Sequence, residues 1–132
     1  MDEVDHIKQE LLKTWDLVES NFKQAITKQQ LDLPIIYTTI MELRKRGFDQ
    51  KFWAGQSLWS FCLSRSRKSG LETESSGIKI APGGNLWNAE NGAVRIFFSL
   101  NSNAKSDFTT SNPIESTKFM NLLAELEKEP ID

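Results

Sequence analysis

Apolar residues recur every three or four positions at the start of the chain and every second position in its middle. Val4, Ile7, Leu11, Trp15, Val18, Phe22 and Ile26 fall on one helical face. Asp2 is suited to cap that helix, and the early acids suit the positive end of its dipole. The pattern carries the helix to about Gln29, long beside a mean of ~12 residues. A helix of that length can reach past its own domain and offer an apolar stripe to a second copy or to another protein. The plainer reading lays the same stripe across a sheet.

A second helix is predicted from Asp32, with Pro34 in its first turn, where a missing N–H costs little. Ile36, Ile40 and Leu43 form its inward face. Arg44, Lys45 and Arg46 occupy its last turn, where cations complement the carbonyl end. Gly47 supplies a left-handed stop, and Phe48 can pack back over it.

From about Ser57 the period becomes two. Trp59, Phe61 and Leu63 alternate with Ser60, Cys62 and Ser64, as in a half-buried strand. Residues 77–81, GIKIA, read as a second strand, followed by a turn at Pro82-Gly83-Gly84. Asn91-Gly92 then suits a two-residue type I′ turn, which would pair Trp87 with Ile96 and Ala89 with Val94. In that register Val94, Ile96 and Phe98 share one face, and Arg95 and Phe97 the other. Residues 101–112 read as a mobile polar loop. Asn112-Pro113-Ile114-Glu115 reads as the start of a last helix that turns Phe119, Leu122, Leu123 and Leu126 inward and stops before Pro130.

Helices segregated from a run of strands indicate an α+β fold. The prediction is two N-terminal helices, a four-stranded antiparallel sheet and a C-terminal helix, with the helices packed on one sheet face and residues 1–132 forming a single domain. The second sheet face, carrying Ser60, Cys62, Ser64, Arg95 and Phe97, is then left uncovered as a working surface.

Composition narrows the function classes. The 39% apolar and 26% charged fractions belong to an ordinary soluble protein, and four Trp with eight Phe predict an aromatic core. A lone cysteine, Cys62, allows no internal disulfide and fits a reducing compartment. The acidic start lacks the basic region and apolar run of a signal peptide, and no apolar run reaches the ~20 residues that cross a bilayer. The expectation is a cytoplasmic chain with no membrane partner.

Charge is partitioned more sharply than the net of −2 suggests. Residues 1–42 carry four lysines against eight acids. Residues 43–70 carry seven basic residues against Asp49 alone. Residues 71–132 carry five basic residues against nine acids. This basic middle either pairs with the acidic flanks across the fold or forms a docking surface for an anionic partner.

Catalytic signals are weak. His6 is the only histidine and Cys62 the only thiol, on a strand with no helix start beside it to lower its pKa. Glu3, His6 and Glu10 share a helix face, yet Glu-x-x-His is only part of a di-metal site whose other half is missing. Pro82-Gly83-Gly84 lacks the Lys and Ser/Thr of a phosphate loop. Residues 64–69 resemble a short Arg-Ser tract, a pattern common by chance. No catalytic residue, metal site or cofactor is assigned; the balance is against an enzyme, and a small enzyme or ligand binder would need a deep pocket lined by Trp53, Trp59 or Trp87.

The function expected is a small cytosolic protein-interaction module, of adaptor, chaperone-like or assembly type, with a partner that can be acidic. Its contact residues are Arg44, Arg46, Arg65, Arg67 and Lys68, with Arg95 and Phe97 on the sheet face; the first helix is the candidate surface for a homo-oligomer. The alternative is single-stranded nucleic-acid binding, in which the basic 44–68 region joins the flat surfaces of Tyr37, Trp53 and Trp59. An isoelectric point near 5.5 weighs against that alternative.

Overall fold

The computed structural model describes residues 3–26, 33–66, 77–83, 92–100 and 104–131. Helix α1 spans Glu3–Ala25 and buries Leu11, Trp15, Val18 and Phe22 of the predicted stripe, with Ala25 beside them; Ile7 and Ile26 are partly buried. That stripe packs within the chain's own core. The helix ends at Ala25, with Ile26 already in a turn, short of the expected Gln29; residues 27–32 and the expected caps at Asp2 and Asp32 lie outside the described residues. Helix α2, Leu33–Lys45, turns Leu33, Ile36, Ile40 and Leu43 inward and stops at Gly47, whose φ of 85° is the left-handed conformation that glycine adopts without strain. A 3₁₀ turn, Phe48–Gln50, follows, and Phe48 stacks on Phe52 at 6.0 Å.

Five antiparallel strands stand in space in the order in which they occur in the chain: β1 Trp53–Ser57, β2 Ser60–Ser64, β3 Gly77–Ala81, β4 Val94–Leu100 and β5 Ala104–Thr110. The α+β class with an antiparallel sheet therefore holds, but the expectation of four strands does not. The segment expected to open one long strand at Ser57 is a hairpin, with Ser57 paired to Ser60 across a two-residue turn at Leu58-Trp59. The segment expected as a polar loop contains β5, in which Phe108 packs against the core.

The pairing expected for β4 also changes. Ile96 lies between Ile80 of β3 and Phe108 of β5, and Val94 pairs with Thr110. Both edges of β4 are thus occupied at Ile96. Residues 84–91, the partner segment expected from the Asn91-Gly92 turn, lie outside the described residues. The facing survives this change of partner. Val94, Ile96 and Phe98 are buried in the core, while Arg95 and Phe97 point to the opposite side. Alternation is a property of the strand itself and fits any antiparallel neighbour.

At the C-terminal end the expected helix start, Asn112 to Glu115, forms a separate 3₁₀ turn, Pro113–Glu115, and Asn112 makes no side-chain cap. Helix α3 spans Thr117–Glu127. Its cap is Ser116, whose hydroxyl accepts from the Phe119 N–H at 3.2 Å. One buried cluster joins Trp15, Val18 and Phe22 of α1, Ile36 and Ile40 of α2, Phe119 and Leu123 of α3, and Phe61, Ile78, Ile80 and Ile96 of the sheet. Trp15 meets Phe61 edge to face at 5.3 Å.

The opposite sheet face is not open along its whole width, contrary to expectation. By register Trp53, Ser60, Ser64 and Ala81 lie on it, and all four are buried, Trp53 to 4% exposure. This face reaches solvent toward β4 and β5, at Arg95, Phe97, Asp107 and Thr109, and in part at Cys62 and Lys79, which the register sets beside Phe97.

Candidate interaction surface

Arg44 turns away from any outward basic patch. It is 19% exposed and binds three carboxylates: Asp16 at 2.8 Å, Asp49 at 3.1 Å and Glu19 at 3.4 Å. Burial alone would depress its pKa, but the hydrogen bonds and charges of Asp16, Asp49 and Glu19 outweigh it and hold the pKa above the ordinary arginine value. The basic end of α2 is thus tied to the acidic flank on α1. Arg46 stays half-exposed, 4.0 Å from Glu42 one turn back.

Arg65 owes its position to a local device. The Ser64 hydroxyl donates to the Ser66 carbonyl at 2.7 Å and accepts from the Ser66 N–H at 3.0 Å, closing a turn around Arg65. The guanidinium then donates to two main-chain carbonyls, Glu129 at 2.9 Å and Lys51, and lies 6.0 Å from the Phe52 ring. Burial pulls its pKa below the ordinary value, partly offset by the charge of Glu127. Lys51, 3.3 Å from Glu127, sits over the Phe48 ring. The end of β2 therefore does meet the segment after α2, as the sequence suggested. The meeting is mediated by carbonyls and acids that fasten the end of α3. Arg67 and Lys68 lie outside the described residues.

On the far face Arg95 grips Asp107 of the neighbouring strand with two hydrogen bonds, 2.8 and 2.6 Å, and lies 4.8 Å from the Phe97 ring. The Arg95 hydrogen bonds hold the Asp107 carboxyl below its ordinary pKa, against a smaller opposing effect of desolvation. A carboxyl depressed in the folded state stabilises above the unfolded aspartate pKa of ~4, and that contribution disappears as pH falls through the folded value. Urea midpoints of the wild type should therefore drop more than those of Asp107→Asn when pH is lowered from ~5 to ~3.

A different surface emerges beside β1, which is an edge strand. A groove of about 470 Å³ runs between it and α1. Thr14, Leu17, Val18 and Asn21 form the helix side; Ala54, Gly55, Gln56 and Leu58 form the strand side. None of these eight carries a formal charge. Leu17 is 64% exposed and Leu58 76%, two of three large apolar side chains standing in solvent among the described residues. Leu58 also adopts a φ of 54°, the only non-glycine residue with positive φ among those described. That conformation costs a residue with a Cβ about 1–2 kcal/mol.

The sequence carried traces of this groove that its periodicity did not flag. Leu17 falls beside the stripe of Trp15 and Val18 and so faces outward. WAGQS and SFCLS flank a Leu-Trp pair in place of the usual Asn or Gly turn. No protein-family model, no curated protein and no solved structure matches the chain. Among the described residues no helix is long and apolar enough to cross a membrane.

Proposed function

We propose that this chain is a small, cytosolic, non-enzymatic protein-interaction module of the adaptor or assembly type, and that its contact surface is the groove between α1 and β1. The reading takes the three helices as packed on one sheet face, with the groove at the margin of that layer. Leu58 carries the proposal. An exposed leucine held in a left-handed turn is unfavourable twice, in hydration and in backbone conformation, where asparagine or glycine would avoid both costs. Leu17 lines the same groove and adds a second exposed leucine to it. Arg46 at the half-exposed end of α2 and Arg95 with Phe97 on the far face remain peripheral candidates, suited to steering an acidic partner. The nucleic-acid alternative loses ground because Arg44 and Arg65 are engaged within the fold.

Leu58→Asn separates the two costs. It should raise stability by about 1 kcal/mol, read as a higher urea midpoint at unchanged slope, because asparagine tolerates the left-handed region. The same substitution should remove a partner that the wild-type chain recovers from its source cell by affinity purification. Identical partner sets for wild type and Leu58→Asn would refute the assignment of the groove.

A further inference from the structure

The strand side of the groove has a main-chain pattern that narrows the occupant. In the β1–β2 register, Ser57 and Ser60 close the hairpin as a hydrogen-bonded pair, so Gly55 and Trp53 also face β2. Phe52, Ala54 and Gln56 then direct their N–H and C=O groups away from the sheet. Two side chains of α1 use the first part of that edge: the Trp15 indole donates to the Phe52 carbonyl at 2.8 Å, and the Thr14 hydroxyl accepts from the Ala54 N–H at 3.1 Å. Past that point the helix supplies only Asn21, which binds the Gln56 side chain rather than its backbone. The register therefore directs the Ala54 carbonyl and both main-chain groups of Gln56 at the groove, with Ala54 itself deep in it at 4% exposure.

We infer that the groove takes an extended, uncharged segment of another protein, which adds a short strand to the β1 edge and sets an aliphatic side chain against Leu17 and Leu58. This deepens the proposed function and rests on it. In antiparallel addition one incoming residue exchanges two hydrogen bonds with Gln56, and the residue two further on donates to the Ala54 carbonyl. A residue opposite Gln56 shares its face, so its side chain projects toward α1, where Leu17 and Val18 wait. The uncharged lining selects against Asp, Glu, Lys and Arg at that residue, since an ion there would lose water without gaining a partner.

The test is selection of a random heptapeptide display library on the full chain, followed by N-methylation of each backbone nitrogen of the best peptide in turn. The expected result is loss of at least ~10-fold in affinity at two positions spaced two residues apart, ~10-fold slower exchange of the Gln56 amide in the complex, and ~10-fold weaker binding to Leu17→Ser, whose exposed site leaves folding intact. Peptides that need Leu17 but tolerate every N-methyl group, with Gln56 exchange unchanged, would overturn the strand mode and leave the groove assignment standing. Peptides indifferent to Leu17→Ser and Leu58→Asn, or a library yielding none above background, would overturn both. A dimer in sedimentation that dissociates on Leu17→Ser would overturn the inference in favour of a second copy of the chain.

Discussion

Replacing Trp15 with alanine is expected to lower the unfolding free energy by about 4 kcal/mol, the middle of the range for core aromatic truncations. The side chain is fully buried, meets Phe61 edge to face, and donates its indole N–H to the Phe52 carbonyl. Truncation therefore opens a cavity at the junction of α1 with the sheet and leaves a main-chain acceptor without its donor. Trp15→Phe isolates the second effect. It keeps most of the ring and should cost about 1–2 kcal/mol for the orphaned carbonyl. Urea midpoints at constant slope check both values. A loss below about 1 kcal/mol for the alanine variant would mean that the junction of α1 with β1 contributes little to the fold.

Arg44→Met is expected to cost about 2 kcal/mol, because removing the centre of a partly buried ion network leaves its most buried member uncompensated. The burden falls on Asp49, whose side chain is only 11% exposed; Asp16, largely in solvent, rehydrates easily. Adding Asp49→Asn to Arg44→Met should recover part of the loss, and the double-mutant cycle should give a coupling of at least about 1 kcal/mol. Additive losses from the two substitutions would show that Asp49 is not the acid through which Arg44 holds the fold. The network joins α1, α2 and the 3₁₀ turn, so its failure would loosen three elements together.

The elements that the sequence disclosed are those whose signals are local. Helical stripes on α1, α2 and α3 and the alternation of Phe61 and Leu63 or of Val94, Ile96 and Phe98 each follow from residues a few positions apart. The two strands that escaped notice, β1 and β5, are the two edges of the sheet. Edge strands need fewer apolar positions and commonly carry charge or polar groups that discourage further pairing. Ala-Gly-Gln in β1 and Lys-Ser-Asp in β5 fit that description and so resemble loop. Strand partners were less legible than strand faces: Asn91-Gly92 favoured a local hairpin, whereas β4 lies between β3 and β5.

The candidate surface was less legible still. Net charge by segment pointed to residues 43–70, but charge counts carry no information on which acid meets which base. Arg44 found its acids partly on α1, some 25 residues earlier at Glu19, and Arg65 found carbonyl groups. Leu17 and Leu58 were two leucines among many until folding set them on the same groove.

The spatial sequence of the strands has a kinetic consequence. Each new strand docks on the one made just before it, so the sheet can grow by successive zipping, with no search between distant parts of the chain. Helix α1, made before the sheet, must wait for β1 some 30 residues later before Thr14 can accept from the Ala54 N–H on that edge. Until it does, a nascent sheet presents its whole first edge, and the chain is then most open to mispairing and to chaperones.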